Sequence, residues 1–163
     1  MNILAIDPGN LYSAYCIINA DTLRPVQFGK VINDDLRAAI LNGSLSYDGA
    51  VIEKVASYGM AVGAEVFDTC VWIGIFTEDI AFKGVCKADY LFRREEKLHI
   101  CHDSRAKDSN IRIALIDRFA QHDKRNGKGT TKSPDWFFGF RADIWAAYAV
   151  GLTYIETKLK EVT

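Results

Sequence analysis

The sequence predicts an α/β fold built on a mixed β-sheet with helices on both faces. Three short apolar segments, separated only by turns, open the chain, and antiparallel hairpin steps are the economical way to join them. From residue 34 onward, helical and strand-like patterns alternate, which is how a chain builds crossovers onto a sheet. The run Gly49-Ala50-Val51-Ile52 has no polar side chain before Glu53, as a central strand covered on both faces requires.

Residues 2–6 form the first strand, which runs into Asp7 and stops at the Pro8-Gly9 turn. Residues 11–19 form the second, with Tyr12, Ala14, Cys16 and Ile18 on one face. After a turn at Asp21, residues 24–31 form the third. Residues 34–41 are a short helix closed by Asn42-Gly43. Residues 49–55 are the central strand, and Ser57-Tyr58-Gly59 is a loop. Residues 61–80 are expected as a long helix, with Val62, Val66, Thr69, Ile73 and Phe76 near one side. Leu98 and Ile100 suggest a fifth strand over residues 97–101, after an extended or turning segment from Tyr90. Residues 108–119 are an amphipathic helix with Ile111, Ala114, Leu115 and Arg118 at helical spacing. Residues 122–134 are polar, basic and glycine-containing, the pattern of a mobile loop, and residues 143–160 are a final apolar helix. Trp136, Phe137, Phe138 and Phe140 precede that helix as an aromatic cluster suited to anchoring the loop on the core.

The chain has 163 residues, 49% of them hydrophobic and 25% charged, which fits one soluble domain spanning 1–163. No apolar run approaches the ~18 residues a membrane span needs, and no secretory signal is visible at the N-terminus. Cys16, Cys70, Cys86 and Cys101 are scattered without a Cys-x-x-Cys pair and read as reduced thiols of a cytoplasmic protein. His99 and His102 beside Cys101 read as structural rather than as a zinc site. Net charge is −1, but unevenly spread: residues 1–86 carry 5 Lys/Arg against 10 Asp/Glu, whereas residues 87–141 carry 13 against 8. A protein that grips a polyanion and also holds a cationic metal needs both regions.

Three acids stand out. Asp7, at the end of a buried strand, is either a turn residue or the first ligand of a metal site. Glu53 also ends a buried strand, where an acid needs a partner. Asp143 opens the last helix, a place that capping and the helix dipole favour in any case. If the first and fourth strands pair, Asp7 and Glu53 emerge at one sheet edge, and a helix packed on the sheet can bring Asp143 there. Three such carboxylates repel one another unless a divalent cation intervenes, and Mg²⁺ prefers hard oxygen ligands.

Taken in order, Ile6-Asp7-Pro8-Gly9, Val51-Ile52-Glu53, the basic stretch Arg105-Ala106-Lys107-Asp108 and Asp143-Ile144-Trp145-Ala146-Ala147-Tyr148-Ala149 resemble the RuvC-type Holliday-junction resolvases of the ribonuclease H-like superfamily, and among them phage or prophage relatives. The resemblance covers nearly the whole chain. It implies a ribonuclease H-like five-stranded mixed sheet and hydrolysis of phosphodiester bonds in branched DNA, in recombination, repair or phage DNA processing. A cytoplasmic homodimer would cut two strands symmetrically. It further implies Asp7, Glu53 and Asp143 as ligands of Mg²⁺, with Mn²⁺ able to substitute. The family carries two acidic or histidine positions three residues apart in the last helix. Here Asp143 can match only one of them, and the other falls on Ala146 or on Phe140.

Arg93, Arg94, Arg105, Lys107, Lys124, Arg125, Lys128 and Lys132 are candidates for phosphate contacts. Lys107 or Arg105 could also stabilise the pentacoordinate phosphorus, and Lys107 is carried as the catalytic candidate. In the resembled family an aromatic in the loop after the central strand stacks on junction bases, which points to Tyr58. A second function class is a non-catalytic binder of branched nucleic acid on the same fold. An actin-like ATPase would need a second phosphate-binding half, and a proofreading exonuclease an Asp-x-Glu pair on the first strand, where Gly9 stands instead.

Overall fold

A computed structural model describes residues 1–57, 59, 61–123 and 125–160. Five strands form one sheet in the order β3-β2-β1-β4-β5. β1 (Asn2–Asp7), β2 (Tyr12–Asn19) and β3 (Pro25–Ile32) form an antiparallel meander, while β4 (Gly49–Lys54) runs parallel to β1 and β5 (Ala88–Phe92) parallel to β4. This is the mixed sheet expected from the sequence, with β1 and β4 at its centre.

Helices cover both faces. α1 (Asn33–Asn42) and α2 (Ala64–Lys83) enclose one core, in which Leu36, Ile40, Ile73, Phe76 and Ile80 meet Leu4, Ile6, Ile17 and Ile52 of the sheet. On the other face α5 (Ile144–Tyr154) lies against Ile3, Ala5, Cys16, Ile18 and Val51, flanked by α3 (Arg93–Cys101) and α4 (Asp108–Phe119). The strict alternation of the two sets along β1 and β4 follows from the two-residue period of a strand. α5 is apolar all round because it is buried all round. It approaches the sheet so closely that a Cβ on Gly151 would sit 2.5 Å from Ile18 Cδ1 and 2.8 Å from the Ala5 Cβ. A π-helical turn, Ile155–Leu159, follows it.

The expected strand over residues 97–101 is a correction: those residues are helical, and the fifth strand is Ala88–Phe92. β5 lies at the sheet edge with only Leu91 of its five residues buried, so it lacks an apolar alternation to read. α3 starts instead on a helix-forming Arg-Arg-Glu-Glu-Lys run, and the Glu95 carboxylate accepts the Phe92 backbone N–H at 2.8 Å. The long second helix begins at Ala64 rather than residue 61. Its C-terminal half is buried through Ile73, Phe76 and Ile80, but Val62 precedes it and Phe67 and Val71 are 62% and 61% exposed.

Within the stretch expected as a mobile loop, Asp123 accepts the Gly129 N–H at 2.8 Å, and the Phe137 N–H reaches Gly127 O at 2.7 Å. Of the aromatic residues behind it, Phe137 and Phe140 are fully buried and pack on Trp145 and Tyr148, whereas Phe138 is 41% exposed. No helix among the described residues is long and apolar enough to cross a membrane.

Candidate active site

The strand register gathers the first two acids. Ala5 pairs with Val51 and Ile6 with Ile52, so Asp7 and Glu53 follow as the next same-face neighbours beyond Ala5 and Val51. Both therefore point to the α5 side, at the end where β1 and β4 stop. The row continues across the sheet, because Asp7 pairs with Ala14, Ala14 with Lys30, and Glu53 with Leu91.

The turn after Asp7 is held by residues other than Asp7. The Gly9 N–H donates to Ser13 Oγ at 3.1 Å, the Ser13 hydroxyl donates to Asn33 Oδ1 at 2.6 Å, and the Asn33 amide donates to Gly9 O at 2.9 Å. Ser13 and Asn33 are both buried. Gly9 itself is required, because a Cβ there would stand 2.3 Å from Tyr12 O. The turn is thus closed by other residues, and the Asp7 carboxyl lies beside Glu53, to which it can hydrogen-bond only while one of the two is protonated.

That contact is electrostatically unfavourable. Burial, then the Glu53 charge, drives the Asp7 carboxyl well above the usual carboxylate range; Arg93 offsets part of this and Asp143 adds to it. Burial also raises Glu53, against the pull of Arg93. Asp143 stands before the first turn of α5, after Ala142, which is held at φ 43, a strained conformation for a residue with a Cβ. It is half exposed, and its carboxylate accepts from Lys30 Nζ at 2.5 Å.

Arg93 opens α3 directly after β5. Its Nη1 donates to Glu53 Oε2 at 3.3 Å and to Glu96 Oε2 at 3.0 Å, and its Nη2 to Asp108 Oδ1 at 2.7 Å. Glu96 is completely buried, and its Oε1 has no hydrogen-bond partner among the described residues. Burial and then the Glu53 charge push its carboxyl well up, against Arg93. The predicted phosphate contact Arg93 is therefore engaged with three carboxylates.

The other predicted basic residues fall into two groups. Arg94 and Lys97 line a cleft of about 280 Å³ with Arg93 and Ser104. Arg125 and Lys128 line a hollow of about 520 Å³ with Arg141, and Arg141 also borders Tyr12 and Lys30 beside Ala142. The two hollows share Arg141, and Lys30 of the second is bonded to Asp143. Lys107 and Lys132 are exposed, and Arg105 is exposed with only a 3.8 Å approach to Asp103. Tyr58 and Lys124 lie outside the described residues.

Neither alternative for the further helix ligand provides one: Phe140 is buried among aromatic rings, and Ala146 has no donor atom. Lys30, Glu96 and Arg141 were not singled out from sequence. A lysine on a half-exposed strand and a glutamate within a charged helix carry no local mark of a shared site. Their signal is the register and the fold.

The donor set suits a hard divalent cation: oxygen ligands only, two of them desolvated and in mutual contact with too little positive charge. Among the described residues no three His, Cys, Asp or Glu side chains converge closely enough to enclose one. Asp143 is the acid turned elsewhere, toward Lys30.

No family model and no curated protein matches the sequence. Solved structures do match the fold. Thermus thermophilus RuvC aligns with a TM-score of 0.70 at 13% identity over 98% of this chain and 97% of that one. T. thermophilus RuvC in complex with a Holliday junction substrate aligns at 0.68 and 14% identity over 98% and 96%. At this identity the likeness establishes the ribonuclease H-like fold across the chain.

Proposed function

We propose that this protein is a divalent-metal-dependent endonuclease that hydrolyses phosphodiester bonds of branched DNA such as Holliday junctions. The observation that carries the reading is the Asp7–Glu53 contact at the end of the two central strands. There the fold closes the turn with Ser13 and Asn33 and leaves two acids facing each other, offset only in part by Arg93, which is shared with Glu96 and Asp108. The end-to-end likeness to a fold known in complex with a Holliday junction supports the substrate class.

Asp7, Glu53 and Asp143 would hold Mg²⁺, or Mn²⁺ in its place. When bound, the metal would activate a water and stabilise the leaving oxygen of the phosphodiester. Asp7 and Glu53 must both be deprotonated for this, which their mutual repulsion opposes until positive charge arrives. Asp143 would be the third ligand if released from Lys30, and the Lys30 ammonium would then be available to a phosphate oxygen beside Arg141. Arg94, Arg105, Lys107, Arg125, Lys128 and Lys132 would neutralise flanking phosphates, and Lys107, at the start of α4, is the candidate for charge building up on phosphorus. Tyr58 and Lys124 keep the base-stacking and phosphate roles read from sequence.

A homodimer is part of the proposal, and α2 is its interface. Phe67, Val71 and Phe82 leave an apolar stripe on the outer side of that helix. Gly74, in the same stripe, has nothing within 4 Å of where its Cβ would be. A mid-helix glycine costs about 1 kcal/mol relative to alanine, and a close helix crossing by a second copy would account for it.

The test is cleavage of a four-way junction, beside a linear duplex and a flap, by wild type, Asp7→Asn and Glu53→Gln with Mg²⁺ or Mn²⁺. The mutants are expected to bind the junction and not cut it. The second reading, a binder without catalysis, is favoured by the missing helix ligand at Phe140 or Ala146. It predicts that wild type binds the junction and fails to cut it with either metal.

A further inference from the structure

We propose that Arg93 is a resident counter-cation of the carboxylate site, anchored by Glu96 and Asp108, that holds Glu53 in place and against whose charge a divalent metal must bind. The proposal rests on the nuclease reading of the site and assigns to it a positioning residue that belongs to none of its motifs.

The geometry separates Arg93 from the other basic residues. Its guanidinium spans three carboxylates from three elements: Glu53 of β4, Glu96 of its own helix and Asp108 of α4. The side chain is only 25% exposed, whereas Lys30, the cation on the opposite flank, makes one bond to a half-exposed Asp143. A planar fork with three anchors stays in place when a ligand arrives, and a single ammonium on a flexible stem does not. Glu96 makes the anchoring specific. An acid buried without its partner is costly, and among the described residues its only hydrogen bond runs from Arg93 Nη1, the nitrogen that also reaches Glu53. The rotamer of Glu53 is therefore coupled through one nitrogen to a group that cannot leave the core. The groups facing Arg93 are these three acids, with Asp7 next beyond Glu53.

Two consequences have opposite signs. Removing the charge removes the repulsion between a guanidinium and a divalent ion that share Glu53, so metal binds more tightly. Removing the fork releases Glu53, so cleavage falls. A residue that merely supports the fold would lower both.

The experiment is calorimetric titration of Mn²⁺ into the DNA-free protein, for wild type, Asp7→Asn, Arg93→Gln and Arg93→Lys, with junction cleavage at saturating Mn²⁺ in parallel. Arg93→Gln is expected to bind Mn²⁺ about tenfold more tightly, the size of the repulsion between a monovalent and a divalent cation roughly 5–6 Å apart in a water-like dielectric, and to lose most cleavage. Arg93→Lys keeps the charge and loses the fork, so its Mn²⁺ affinity stays near wild type while cleavage falls. Unchanged or weaker Mn²⁺ binding by folded Arg93→Gln overturns the proposal. If Arg93→Gln does not fold, Arg93→Lys decides, and a tenfold change in its Mn²⁺ affinity in either direction overturns it. Wild type that takes up no Mn²⁺ in an Asp7-dependent way overturns the nuclease reading and this proposal together; Asp7-dependent binding that Arg93→Gln fails to tighten overturns this proposal alone.

Discussion

Asp7→Asn is expected to make the metal-free protein more stable at neutral pH, even though it removes an acid of the proposed metal site. The carboxyl of Asp7 is raised well above its ordinary range by burial and by contact with Glu53, so the folded protein binds a proton there more readily than the unfolded chain. Stability then falls as pH rises from the unfolded pKa through the folded one, and the cost is complete once pH passes the folded pKa. Asparagine keeps the shape and removes the charge. Two unit charges about 4 Å apart at an effective dielectric near 20 repel by ~4 kcal/mol, and Arg93 offsets part of this, leaving a gain of about 2 kcal/mol. For a chain of this size that is a rise of roughly 4–8 °C in Tm. The assay is thermal melting with EDTA over a pH series. The gain should grow as pH rises and shrink as acid protonates the wild-type pair, and added Mn²⁺ should raise the wild type and not the mutant. An Asp7→Asn protein that melts at or below wild type at pH 7 in EDTA would refute the claim that the two acids repel across that contact.

Gly151→Ala should destabilise by about 1–3 kcal/mol in urea unfolding, because its Cβ would overlap Ile18 Cδ1 and the Ala5 Cβ and push α5 off the sheet. Ser13→Ala should cost about 1–3 kcal/mol by stranding Asn33 and the Gly9 N–H in the same assay, and should reduce cleavage as the turn behind Asp7 loosens. Phe67→Asp should convert a dimer to a monomer in sedimentation while leaving the melting of the monomer within about 0.5 kcal/mol, since that ring is exposed within one chain. A dimer that survives it would move the interface away from α2.

Much of the fold was legible because its central parts obey local rules. β1 and β4 are apolar runs ended by acids, α1 closes on Asn42-Gly43, and α5 is apolar throughout. β5 and α3 were misplaced for a physical reason. An edge strand with one buried residue has no pattern, while Leu98 and Ile100 mimic alternation inside a helix. Of the site, Asp7 and Glu53 are readable as acids at strand ends, and their meeting follows from the pairing of those strands. The rest depends on distance along the chain. Lys30 and Asp143 are 113 residues apart, and Arg93 and Glu53 are 40 apart. A charged run such as Arg93-Arg94-Glu95-Glu96-Lys97 reads as solvated surface, and only the packing of α3 distinguishes Glu96, buried, from Glu95 at the helix start.

The central claim is that Asp7 and Glu53 form a metal-dependent hydrolytic site for branched DNA. Its most direct test is single-turnover cleavage of a four-way junction with Mg²⁺ by wild type and by Asp7→Asn and Glu53→Gln proteins shown to bind that junction. Cleavage by wild type, abolished by EDTA and lost in both mutants, is the predicted result. Cleavage by either mutant at the wild-type rate would contradict it.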